Sequence, residues 1–298
     1  MSKRAREQRR ALERAADPCA RAGKSSERSS LRKLDWASKH IEDLRFAEQA
    51  WFAKRAYVVV REDDPKTRRT VLRAKITEPP PLDFSLILGD AAHALRSALD
   101  HLALELAVSH HRPSSLPPAI EKASEFPILP YKVGNELGGN AFHRVEKKTG
   151  KPARGSGLHK LQGVHPSALE AIEGIQPYHR GTAYAEDPLW VIHELDRIDK
   201  HRRLNLTACA VGGVGIGGSE GYMGSVQMEK VGHSGPVEDG TPIVIMTVSP
   251  DSHFELNISK EIALAEPAIP QREFLVHMAT TLCDYARDVV VPLVARWL

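Results

Sequence analysis

Cysteine is scarce in this chain: Cys19, Cys209 and Cys283 are the only three, widely spaced and without a C-x-x-C pair. That usage excludes a disulfide framework and a thiolate zinc cluster, and it predicts a reducing, cytoplasmic setting. Long apolar runs are missing too. VVVPLVA at 289–295 is the longest near the C-terminus and falls well short of the roughly 20 residues a bilayer span requires. No membrane partner is expected. The opening stretch, MSKRAREQRRALERAADPC, has no apolar segment behind its charges, so it does not read as a secretory signal. Aromatic residues make up 6% and do not interleave with basic runs, which argues against a stacking platform for single-stranded nucleic acid. Neither a P-loop, a Ser nucleophile elbow nor H-E-x-x-H occurs.

What is present is the composition of a soluble globular protein, with 42% hydrophobic and 27% charged residues. The net charge of +3 is unevenly placed: residues 1–30 hold nine Lys/Arg against four Asp/Glu, whereas the rest carries 32 basic against 34 acidic. With only Met1 and Leu12 as large apolar side chains, residues 1–30 cannot build a core and read as a disordered basic arm. Any attraction to RNA or another phosphate-bearing ligand would begin there and weaken with salt.

Residues 31–298 read as one α+β domain of long central helices packed with an antiparallel sheet. Leu34, Ile41, Leu44 and Trp51 recur at helical spacing over 31–53, with Ser30 as N-cap. YVVVRE and TVLRAKITE flank DDPK as an early hairpin, and Pro79, Pro80 and Pro81 stop its second strand. A helix over 82–111 follows, closed by Pro113. Residues 112–164, rich in Pro, Gly and Lys, read as a long irregular loop. Pro166 opens a short helix that Gly174 ends, and Asp187 with Pro188 caps a helix running to about 203. LNLTACAV, YMGSVQME, PIVIMTVS and FELNIS supply most of the sheet between 204 and 262. Pro270 begins a terminal amphipathic helix carrying Phe274, Met278, Leu282, Val289 and Trp297, interrupted at Pro292. Gly213, Gly215 and Gly218 spell G-x-G-x-x-G after a strand, but another strand follows instead of the helix a dinucleotide site requires.

The helix over 82–111 holds the best functional clue. At about 100° per residue, Asp90, His93, Ser97, Asp100 and His101 share one sector, with Arg96 on its edge and Leu95, Leu99, Leu102 and Leu106 elsewhere. Polar groups in so apolar a helix need partners to offset their desolvation. Arg96 and Asp100, four residues apart, are placed to pair with each other. A second polar face, Asp196, Asp199, Lys200 and His201, recurs on the helix after Pro188. Facing stripes would make a mixed-charge pocket suited to a phosphate. No cofactor is implied, and no metal either, because His93 and His101 stand two turns apart and do not reach one ion from a straight helix.

Arg96 and His101 form R-x4-H, which resembles the signature of the HEPN domain, a helical bundle that includes metal-independent endoribonucleases. That resemblance implies a two-fold dimer with Arg96 stabilising phosphate charge, His101 transferring protons and Asp100 orienting either one. His93, Asp196, Asp199, Lys200 and His201 would then contact substrate. Ser97 stands where that family often has Asn or Asp. LRSALDHLA, FPI, QPY and LWVIHELDRIDKHR also resemble, in order, the landmarks of a family of uncharacterised proteins from actinobacteria and their phages. Two functions are thus expected as alternatives. One is a toxin-like or phage-defence ribonuclease. The other is a non-enzymatic interaction or anion-binding protein whose stripe is structural.

Overall fold

The protein is described by a computed structural model over residues 28–209, 215–217, 226–231, 237–248, 255–257, 261–269 and 274–298. Of the expected basic arm, residues 1–27 lie outside the described residues. The fold is α+β: helices α1 (Ser29–Ala53) and α2 (Leu82–His111) are the longest elements, and the strands are antiparallel. The chain divides into two compact units, one holding Met1–Ser38, Ala92–His193 and Leu282–Leu298, the other Lys39–Ala91 and Glu194–Thr281. Each is described by itself.

In the first unit, Leu95, Leu99, Leu102 and Leu106 bury the apolar side of α2, as the periodicity predicts. Leu34 of α1 is buried as well. Full burial of each such side chain stabilises by about 1.5–3 kcal/mol. α1 begins one residue before the expected cap, and Ser30 is not its own cap. Glu105 of α2 accepts from Ser29 Oγ and Ser30 N at 2.9 Å each and from Ser30 Oγ at 2.6 Å. A carboxylate there satisfies the free N–H groups and the positive end of the helix dipole.

The stretch 112–164 is not one irregular loop. It contains α3 (Pro118–Ala123), the paired β3 (Lys132–Val133) and β4 (Glu136–Leu137), α4 (Gly138–Phe142) and α5 (Gly157–Lys160). These pieces are too short for periodicity to reveal, and they are pinned by buried side chains such as Phe126 and Phe142. α6 (Pro166–Gly174) follows, then a 3-10 segment over Pro177–Glu186 and the start of α7 (Pro188–Asp199). Asp187 caps α7 as expected, its Oδ1 accepting from Leu189 N at 2.9 Å. Burial pushes the Asp187 carboxyl above its ordinary value despite that bond and the nearby Arg180.

In the second unit the hairpin β1 (Tyr57–Asp64) and β2 (Arg69–Ile76) forms in full register and continues into a four-stranded sheet, β1-β2-β8-β7. There β7 is Val226–Val231 and β8 is Pro242–Val248. β5 (Leu206–Cys209) pairs with β10 (Glu261–Leu264), and β6 (Gly215–Gly217) with β9 (Glu255–Asn257). The rest of the Gly-rich run lies outside the described residues, as does Pro270.

The terminal helix changes pitch. α8 (Leu275–Asp284) gives way to a π-helical stretch, Tyr285–Val290, before α9 (Val291–Val294). Pro292 has no N–H to donate and crowds the preceding turn, which a widened turn accommodates. Val289, expected on the apolar face, is therefore exposed.

Candidate functional site

Arg96 lies on α2 within the first unit, and its side chain is only 6% exposed. Its Nη2 stands 2.9 Å from Asp100 Oδ1, 2.9 Å from Glu125 Oε1 and 2.9 Å from the main-chain oxygen of Phe126. Asp100 accepts in turn from Phe126 N at 3.0 Å, and Lys160 Nζ donates to Glu125 at 2.7 Å. Nη1 of Arg96 is buried and has no hydrogen-bond partner among the described residues.

The segment held here, Phe126 to Leu129, is buried without belonging to any sheet. Its backbone groups therefore need partners from side chains. Arg96 and Asp100 satisfy Phe126 from one side. Gln176, itself buried, serves two more groups: Nε2 donates to Pro127 O at 2.8 Å and Oε1 accepts from Leu129 N at 3.1 Å. The stretches LRSALDHLA, FPI and QPY thus meet at one place. What they build there is a clamp on an irregular buried strand.

The two carboxylates of the clamp are driven in opposite directions. Burial raises the Asp100 carboxyl, and the negative Glu125 adds to that, against the pull of Arg96 and the Phe126 N–H. Burial also raises Glu125, but its bond to Lys160 and the charges of Lys160 and Arg96 outweigh it, so Glu125 ends below its ordinary value. Neither sits in bulk water: Asp100 is 33% and Glu125 43% exposed.

His101 is half-buried and His93 exposed. Five residues separate Arg96 from His101, which places them about 140° apart around the helix.

Asp196, Asp199, Lys200 and His201 belong to the second unit. Asp196 is buried and receives Lys200 Nζ at 2.6 Å, while His201 is exposed. Asp199 is half-buried against Gly89 of α2, where an added Cβ would overlap its carboxylate. That close approach explains a glycine inside a helix, where it costs roughly 1 kcal/mol relative to alanine.

A further polar cluster escaped sequence reasoning. Glu173 Oε1 accepts from Tyr178 Oη at 2.9 Å and lies 2.6 Å from His143 Nε2. Burial and the Glu173 carboxylate push the Tyr178 hydroxyl far up. Its sequence signals are the tyrosine of QPY and Gly138, which lies so close to the Tyr178 side chain that no Cβ fits. Among the described residues no group of three or more His, Cys, Asp and Glu side chains is arranged to hold a metal ion. Nor, among them, is any helix long and apolar enough to cross a membrane. No family model, curated protein or solved structure matches the chain.

Proposed function

We propose that this chain is a non-enzymatic, anion-binding interaction protein in which the Arg96 stripe is structural. The observation that supports this reading is the engagement of Arg96. A guanidinium that stabilises a phosphorane must meet the phosphate oxygens directly. Arg96 instead spends its charge on two carboxylates and a main-chain oxygen, and those carboxylates would repel an approaching phosphate.

The metal-independent ribonuclease implied by R-x4-H is the second reading. One feature favours it: the unpartnered Nη1 of Arg96, a donor still available to an oxygen. That reading also needs a second copy of the chain to bring a His101 opposite Arg96.

A mixed RNA pool incubated in EDTA with the protein, and with His101→Ala of matched thermal stability, separates the two. The binding-protein reading expects intact RNA in both reactions, and again when Mn or Zn replaces EDTA. Cleavage by the parent that disappears in His101→Ala would overturn it.

A further inference from the structure

The first unit contains a cavity of about 580 Å³ beside the last turn of α2. Its size falls within the roughly 300–1,000 Å³ of small-molecule sites. Leu104 and Val108 lie one turn apart on α2 and Arg112 follows just beyond its last residue, so the cavity wall carries two apolar side chains and then a cation. Leu298 adds to the apolar surface. Arg112 is exposed and forms no side-chain hydrogen bond or ion pair with another described residue. Arg28, across the cavity, is held by its Nη2 donating to Leu298 O at 3.3 Å.

The one acidic side chain in the wall, Glu105, is committed elsewhere. Both its oxygens face Ser29 and Ser30 at the start of α1. Neither arginine forms an ion pair with it, and the helix terminus is already filled. What remains is a cavity with the guanidinium of Arg112, that of Arg28 held by one nitrogen to Leu298 O, and an apolar strip beside them.

We propose that this cavity binds a soluble amphiphile with an anionic head, its head on Arg112 and Arg28 and its apolar body along Leu104, Val108 and Leu298. The head supplies acceptors to guanidinium donors, and the body removes exposed apolar surface from water. This inference rests on the reading of the chain as an anion-binding protein and names where and what it binds.

Calorimetric titration of the full chain with octanoate tests it. Saturable binding is expected, weaker by about tenfold or more for octanol, which lacks the charge, and for acetate, which lacks the tail. Arg112→Gln should weaken octanoate by about tenfold and leave the melting temperature in place, because the Arg112 side chain has no hydrogen-bond or ion-pair partner among the described residues to lose. Val108→Glu, placing a like charge on the apolar strip, should abolish binding.

Absence of octanoate binding, or equal binding by Arg112→Gln, would overturn the proposal. So would binding to phosphatidylglycerol vesicles without binding of monomeric octanoate, which would make the occupant a bilayer surface. The two readings fail separately. RNA cleavage would overturn the binding-protein reading whatever octanoate does, and a silent titration would remove this cavity while leaving the cleavage result intact.

Discussion

The Arg96 clamp of the first unit and the three buried pairs of the second bury opposite members of their ion pairs. In the first, the cation is inside: Arg96 is buried while Asp100 and Glu125 keep part of their surface in water. In the second, the carboxylates are inside. Glu194, Asp196 and Glu266 are buried, and their partners Arg197, Lys200 and Arg202 stand half in solvent. Long basic side chains can do this because their stems cover apolar surface while the charged end reaches water. A short carboxylate has no such reach, so a buried one depends wholly on the partner that comes to it. Removing the buried cation should therefore strand two carboxylates that water can serve and one main-chain oxygen, whereas removing an exposed cation strands a carboxylate that water serves poorly.

The largest effect should follow Arg202→Ala. Glu266 is 0% exposed and takes both guanidinium ends of Arg202, at 2.9 and 2.6 Å, besides the N–H of Asn205. Removing the one cation that meets a buried carboxylate leaves an uncompensated charge, which is strongly destabilising. Urea unfolding measures this, and a loss smaller than that of Arg96→Ala would break the comparison.

Arg96→Ala should cost less, about 2 kcal/mol, since its carboxylates are partly hydrated. That deficit should shrink as the pH falls and Asp100 and Glu125 protonate, because their mutual repulsion disappears. A deficit independent of pH would assign the loss to packing alone.

In the parent, carboxyl-detected NMR titration should show Asp100 above the ordinary aspartate value and Glu125 below the ordinary glutamate value. The signs oppose each other. Glu125, depressed in the fold, contributes stability above its unfolded value that is lost as pH falls through its folded one. Asp100, raised in the fold, costs stability as pH rises through its folded value. The parent should therefore gain stability with rising pH through the Glu125 window and lose it through the Asp100 window, and Glu125→Gln should leave the Asp100 slope alone.

Gly89→Ala should have the smallest effect, a loss of about 1 kcal/mol by thermal melting. The better helix propensity of alanine works against the displacement of Asp199. A gain in stability would show that Asp199 swings aside without cost.

Much of this architecture was legible because it depends on neighbours in sequence. The 3.6-residue recurrence of Leu95, Leu99, Leu102 and Leu106 marked α2. The DDPK turn marked the hairpin, and Asp187 before Pro188 marked the start of α7. The stretch 112–164 was illegible for the converse reason. Its helices span four to six residues, too few to show a period, and Phe126 to Leu129 keep their place through Arg96, Asp100 and Gln176.

The candidate site shows the same division. Asp100 as a neighbour of Arg96 followed from the i,i+4 spacing, but Glu125 and Lys160 did not, since nothing local couples residues so far apart. Sequence by itself determined that α2 is a helix with a polar stripe, because a helix repeats every 3.6 residues whatever surrounds it. Only the tertiary structure decided what covers the stripe, because desolvation depends on which distant segment arrives. Here the segment bearing Glu125 arrived, and it turned a candidate phosphate ligand into the centre of a clamp.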